Sequence, residues 1–405
     1  MQQKLIHRAE YERLLWKLKD QKLIKVATGV RRCGKSTLLQ IFRSELVKTI
    51  PQERIQNYNF EEPENLRITN WLEWYDRIKS RLVPGVMNYV FLDEVQQISQ
   101  FEKLMDGLYV RDDVDLYVTG SNARLLSSEL ATLLTGRAFE INVLPFSFHE
   151  FTQTYETVVS PERMFADYMQ SSSFPQAAKL FHVGRELVPA YLREVYDAIL
   201  KKDHGARHGI FLKQAFRKVI NFTIDAIGSP LSPNKIATRL RNEKQKIDGR
   251  TVESYLSMLT DSYLFYRVDR FDIKGRQHLA TQEKYYLVDV GLRNALLGKE
   301  LESDSGHLLE NIVYLELRRR GFQVWLGKIG DKEVDFVARD KDGYTKYFQV
   351  AWTVKTPETL LRELAPFEKI PDHNERILIT TDMETGSHKG IRQINAIEWL
   401  LNRPD

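Results

Sequence analysis

Cysteine is nearly absent. One residue, Cys33, stands among 405, so no disulfide can close within the chain. Long apolar runs are missing as well. No 18 consecutive residues are apolar, which excludes a membrane-spanning helix of ordinary length. The opening stretch, Met1 to Arg8, has no apolar leader core, so a cytoplasmic location is expected. There is no long repeat, no low-complexity tract and no Pro/Gly-rich linker. A large excess of either charge is lacking too: 59 Lys and Arg face 55 Asp and Glu, a net of +4. That excess is too small to name a polyanionic partner; only its distribution along the chain can suggest one. What remains is a hydrophobic fraction of 42%, enough for several buried cores, in a length that suits two or three domains.

The most informative segment is Gly29-Val30-Arg31-Arg32-Cys33-Gly34-Lys35-Ser36, which has the form G-x-x-x-x-G-K-S. Leu23–Ala27 before it reads as a buried strand, and Thr37–Phe42 after it opens a helix. The chemistry of phosphate binding needs that order. Gly29 and Gly34 let the backbone fold close to phosphate, and the helix N-terminus binds negative charge. Lys35 supplies a cation to the β/γ oxygens, the Ser36 hydroxyl can ligate Mg²⁺, and Arg32 and Thr37 complete the loop. The expected ligands are therefore ATP and Mg²⁺. Downstream, Tyr89–Leu92 is an apolar run ending in Asp93-Glu94, as in a central strand of a parallel sheet. Asp93 is placed to hold the Mg²⁺ shell, and Glu94 to polarise the attacking water as general base. Arg137, at the start of a strand-like run over 138–143, could reach a γ-phosphate, its own or a neighbour's. It could equally pair with a surface carboxylate.

These segments, together with Asn59-Phe60-Glu61-Glu62, Thr119-Gly120-Ser121-Asn122-Ala123, Thr135-Gly136-Arg137 and Leu144–Phe151, resemble the prokaryotic AAA+ ATPases that carry a C-terminal nuclease-like domain. The resemblance covers nearly the whole chain. It implies ATP binding, hydrolysis and assembly into a ring or other homo-oligomer. It also implies a water-placing polar residue at the end of the strand beside the phosphate loop, with Asn122 the first candidate and Ser121 the second. An Asn in a Gly-Ser turn is common for conformational reasons alone, so both readings stand.

The expected fold class is α/β: a P-loop AAA+ core over 1–150 with a helical lid over 151–205, then a winged helix over 206–300, then a nuclease-like α/β domain over 301–405. In the third segment Ser232-Pro233 opens a helix over 233–240, Thr251–Leu259 forms a second, and two strand-like runs, Tyr263–Phe271 and Lys284–Asp289, flank a basic tip. Lys274 and Arg276 at that tip, with Arg250, are the candidates for contact with a DNA backbone. Winged helices also serve as protein-binding modules, and that alternative stays open.

In the last segment Glu310 on a helix, Asp335 on a strand and Gln349 on the next resemble the PD-(D/E)xK nuclease core, where carboxylates hold Mg²⁺ and a lysine acts on water. The chain departs from that pattern. The third ligand is a neutral glutamine, and the lysine position is Ala351; Lys355 lies four residues on. The substitutions predict a retained fold with lost chemistry. Three readings of function follow: an oligomeric ATPase acting on DNA through its C-terminal half, an ATP-gated nuclease, or an ATP switch in protein signalling.

Overall fold

A computed structural model of the chain describes residues 5–65, 67, 68, 70–121, 136–201, 214–298 and 304–402, with the backbone alone for 280–282. Two compact units emerge. One runs up to Pro145 and takes in Asp261–Tyr263; the other holds Phe146–Thr260 and the residues from Leu264 onward. No described helix is long and apolar enough to cross a membrane.

The first unit is a five-stranded sheet. Its elements are α1 (Ala9–Leu18), β1 (Ile24–Thr28), α2 (Lys35–Leu46), β2 (Ile55–Asn59), α3 (Trp71–Lys79), β3 (Asn88–Asp93), α4 (Phe101–Tyr109), β4 (Val114–Thr119) and β5 (Ala138–Asn142). The strand order is β2-β3-β4-β1-β5, and every neighbouring pair is parallel. β1 is buried along its whole length, as its unbroken apolar neighbourhood requires of a strand covered on both faces. Val26, Val90, Leu92, Leu116 and Val118 form one side of the core with Trp74 of α3 and Leu104 and Leu108 of α4. Because all five strands run the same way, their carboxyl ends share one edge, where such sheets bind ligands.

The second unit begins with four helices, α5 (Phe148–Thr152), α6 (Pro161–Gln170), α7 (Pro175–Val183) and α8 (Leu187–Leu200). Local chemistry sets their starts. Ser160 accepts from the Arg163 amide with Pro161 as the first helical residue, and Ser147 and Glu150 make a reciprocal capping box. Next come α9 (Gln214–Asp225), β6 (Pro230–Leu231), α10 (Pro233–Asn242), α11 (Gly249–Asp261), β7 (Phe265–Asp272), β8 (Gln277–Leu287) and α12 (Val290–Leu297). The chain ends with α13 (Ser305–Arg319), β9 (Gln323–Ile329), β10 (Lys332–Arg339), β11 (Thr345–Val350), α14 (Pro357–Glu368), β12 (Glu375–Thr380), β13 (Gly386–His388), β14 (Ile391–Asn395) and α15 (Ala396–Leu401).

Three features differ from the sequence reading. First, the hairpin and the C-terminal strands are not separate. They form one nine-stranded sheet in the order β13-β14-β12-β11-β10-β9-β7-β8-β6. β7 joins β9 in parallel over Arg270–Asp272. Second, α12 packs on α8 and α6. Asp289 at its N-cap accepts from the Ser173 amide and from the hydroxyls of Ser172 and Ser173. The helices expected to form a separate lid thus share their packing with a segment about a hundred residues on. Third, the hairpin tip is shorter, because β8 begins at Gln277 paired with Asp272. At α10 Pro233 is the first helical residue as expected, but the Ser232 side chain makes no cap bond. Gly321 closes α13: at φ +80° its amide bonds Arg318 O, and the Phe322 amide reaches Leu317 O, a Schellman arrangement.

Candidate functional site: a phosphate loop beside two carboxylates

The loop between β1 and α2 gathers its groups at the carboxyl edge of the first sheet. Gly29 sits at φ +138°, and a Cβ there would lie 2.2 Å from Val143 O. No other residue type fits so close an approach. Arg32 and Gly34 also adopt positive φ, 70° and 102°, which turns the chain tightly before α2 begins at Lys35. The Lys35 side chain is buried, with Nζ 3.0 Å from Gly29 O and 3.2 Å from Val30 O. Its charge therefore stands over the loop, next to the helix N-terminus that favours an anion. Arg31 pairs with Glu61 at 3.0 Å. Ser36 and Thr37 occupy the first turn of α2.

Ser36 Oγ donates to Asp93 Oδ1 at 2.9 Å. The residues fit the implied ion. Both donors are hard oxygens, and two adjacent ligands of an octahedral Mg²⁺ at about 2.0–2.1 Å stand about 2.9 Å apart. Beside them is a cavity of about 270 Å³ lined by Ser36, Arg43, Asn59, Glu62 and Asp93 among others. Burial lowers the pKa of Arg43, while Asp93 and Glu62 oppose that shift.

Glu94 follows the strand end with φ 54°, a left-handed conformation unusual for a glutamate. It is buried. Its Oε2 accepts from Gln96 Nε2 at 2.6 Å and from Ser121 Oγ at 3.3 Å. The residue that joins the two carboxylates is Thr119, the last residue of β4. Its hydroxyl donates to Asp93 Oδ1 and accepts the Glu94 amide at 2.9 Å. Thr119 was not singled out by sequence reasoning, although its place at the end of a strand registered on Ala27 of β1 marks it. Ser121 is part of this group. Asn122 lies outside the described residues.

Arg137 falls elsewhere. β5 runs parallel to β1 with Ala138 opposite Ile24, and the Arg137 carbonyl accepts the Ile24 amide at 2.7 Å. Arg137 is thus at the amino edge of the sheet, about 16 Å of strand from the phosphate loop. Its guanidinium pairs with Asp106 and stands 5.5 Å from the centre of the Tyr109 ring. The reading in which it reaches its own γ-phosphate is corrected by this geometry. The carboxylate-pairing alternative describes the observed contact.

In the second unit Glu310, Asp335 and Gln349 are brought together. Asp335 Oδ2 accepts the Val350 amide at 2.8 Å, Gln349 Oε1 lies 3.4 Å from the Asp335 amide, and Gln349 Nε2 donates to Glu363 at 3.0 Å. Lys355 is exposed. The cation beside the carboxylates is Lys284, from β8, 3.0 Å from Glu310 and 2.8 Å from Glu333. Burial works against its charge, but Glu310, Asp335 and Glu333 outweigh burial and raise its pKa. Burial raises the Asp335 carboxyl well above the usual range, with the Glu310 charge adding to it. Burial pushes Glu310 up as well, but the Lys284 charge together with the bonds from His307, Tyr286 and Lys284 outweighs it, and the carboxyl is held below its ordinary range. Among the described residues no group of three or more His, Cys, Asp or Glu is arranged to hold a metal ion. Lys274 and Arg276 are exposed at the hairpin tip, and Arg250 is exposed at the start of α11. Immediately before Lys274, Ile273 is buried against the sheet, its amide bonded to Lys328 O at 2.9 Å.

Comparison with known proteins agrees with this picture of the first unit. Residues 21–152 match the AAA domain family, and residues 162–303 match a domain of unknown function (DUF8612). An uncharacterized protein of Haemophilus influenzae is 36% identical over 408 residues, covering 99% of this chain and all of that protein. One from Methanocaldococcus jannaschii is 28% identical, covering 78% of this chain and 71% of that protein. Among solved structures, the Walker-type ATPase of Pyrococcus abyssi matches 72% of this chain and 96% of its own, at 15% identity and a TM-score of 0.52. That likeness shows the fold: a P-loop ATPase core followed by a further C-terminal region.

Proposed function

The chain belongs to the same family as the Haemophilus influenzae protein, whose whole length it matches, with an AAA-type P-loop NTPase domain at residues 21–152; from that premise we propose that it binds ATP with Mg²⁺ and hydrolyses it. The observation that carries the proposal is the convergence of Lys35, Ser36, Asp93 and Glu94 on one sheet edge, where Asp93 takes the Ser36 hydroxyl and is joined to Glu94 through Thr119. Lys35 neutralises the β/γ oxygens. Ser36 and Asp93 hold the ion, which supplies charge compensation when bound. Glu94, fixed by Gln96 and Ser121, takes the proton of the attacking water. Lys35→Ala should weaken ATP binding about 30-fold, the equivalent of about 2 kcal/mol for a lost charge-assisted contact. Equilibrium titration with a fluorescent ATP analogue checks this. An unchanged affinity would remove Lys35 from the site.

Assembly into a homo-oligomer belongs to the same reading. Arg137 then serves a neighbouring copy, after leaving Asp106, at a site it cannot reach in its own chain. Mixing Arg137→Ala with Lys35→Ala chains should recover turnover that neither shows alone, because some interfaces pair an intact loop with an intact arginine. No recovery, with a rate per chain independent of concentration, would leave Arg137 as a surface partner of Asp106.

The order α9-β6-α10-α11-β7-β8 supports the winged-helix reading, and the exposed cations Lys274, Arg276 and Arg250 favour DNA as the partner over a protein surface. Lys274→Ala with Arg276→Ala should flatten the log–log salt dependence of duplex binding by about two units. A slope that does not change would move any DNA contact away from the tip.

A further inference from the structure

The second unit contains a charge cluster that the nucleotide site does not use. We propose that Lys284 is the resident cation of the Glu310–Glu333–Asp335 cluster and takes the place of a divalent ion, so that this core excludes metal instead of working with it.

The placement follows from strand periodicity. Lys284 and Tyr286 are two apart on β8, so they share a face. Both donate to the same oxygen, Glu310 Oε1, at 3.0 and 2.6 Å. The ammonium also contacts Glu333 Oε1 at 2.8 Å, while Arg270 of β7 takes Glu333 Oε2 at 2.8 Å. The hairpin therefore delivers two cations onto the strand that carries Glu333 and Asp335. This delivery depends on β7 having joined β9 as part of one sheet.

These contacts use the oxygens that a metal needs. Glu333 has both its oxygens committed, Glu310 has one held by two donors, and Asp335 Oδ2 is held by the Val350 amide. The Gln349 amide is anchored on Glu363. Two of the three carboxylates, Glu310 and Glu333, are matched by Lys284 and Arg270, His307 faces the second Glu310 oxygen at 3.7 Å, and burial favours the neutral form of the third, Asp335. A divalent ion among the same oxygens would stand about 3 Å from an ammonium whose side chain is only 5% exposed. Leaving is unfavourable for Lys284, and staying is unfavourable for the ion. The substitution of Gln349 and Ala351 then forms one pattern with Lys284: the ligand set has lost charge, and the remaining charge already has a partner.

The test uses the full chain without nucleotide. Mn²⁺ sites counted by electron paramagnetic resonance should be equal in number and affinity in the wild type and in Glu310→Gln. A wild-type site lost in Glu310→Gln would overturn the proposal, as would Mn²⁺-dependent nicking of plasmid DNA that disappears in Asp335→Ala. Lys284→Met should lower the melting temperature by about 5 °C or more. Adding Glu310→Gln should recover at least half of the loss, because one uncompensated carboxylate is removed with its lost cation. Millimolar Mn²⁺ should raise the melting temperature of Lys284→Met more than that of the wild type. Failure of both rescues would mean that Lys284 is merely packed there. Should Lys284→Met not fold, the comparison of wild type with Glu310→Gln still decides.

Discussion

Glu94→Gln is expected to slow ATP hydrolysis by about 10²- to 10⁴-fold, the range a positioned general base contributes, while ATP affinity stays within about threefold. The separation of the two effects comes from the geometry. Glutamine has the size of glutamate, and its carbonyl oxygen can still accept from Gln96 Nε2 and Ser121 Oγ, the contacts that hold Glu94 Oε2. The Glu94 amide keeps its bond to Thr119, so Asp93 is not disturbed. Only the capacity to take a proton is lost. Lys35 and Ser36, which meet the phosphates and the ion, are untouched. Phosphate release under single-turnover conditions, with nucleotide binding measured on the same preparation, checks the outcome. Turnover within threefold of wild type would move the base elsewhere, and a parallel loss of binding would show that Glu94 shapes the pocket.

What could be read from the sequence was what is local. Gly29 to Ser36 are contiguous, and their glycines, lysine and serine specify a loop that only a preceding strand and a following helix can present. Asp93-Glu94 stood out because an apolar run ends on two carboxylates. Thr119 was passed over because a threonine ending a strand is unremarkable until strand order sets β4 between β1 and β3. Arg137 illustrates the same limit. Its distance from the loop depends on the parallel register of Ala138 on Ile24, which no local pattern encodes. The C-terminal half was harder still. Glu310, Asp335 and Gln349 were found by spacing, but Lys284 lies on a hairpin that reads as part of another module. Only the pairing of β7 with β9 shows that the two segments build one sheet.

Lys25 is a charged residue inside that readable β1, and it carries the largest stability effect expected in the first unit. Its side chain is fully buried and pairs with Asp115, itself 1% exposed. Burial lowers its pKa, although Asp115 pulls the other way. Nζ also donates to Gln21 O at 2.7 Å, while Asp115 Oδ2 accepts from Tyr117 OH at 2.8 Å and from the Asp20 amide at 3.0 Å. Lys25→Met keeps the length of the side chain but leaves the Asp115 charge buried without a cation. Breaking such a pair from one side costs about 3–5 kcal/mol, far more than the pair itself contributes relative to neutral groups. Asp115→Asn in the Lys25→Met background should therefore restore most of the loss. The asparagine carbonyl still accepts from Tyr117 and from the Asp20 amide, and no charge remains to be compensated. Urea unfolding of the three variants distinguishes the accounts. If Lys25→Met loses less than about 1 kcal/mol, water reaches the pair in solution. If Asp115→Asn deepens the loss instead of relieving it, the hydrogen-bond network and not the uncompensated charge sets the stability of this edge of the sheet.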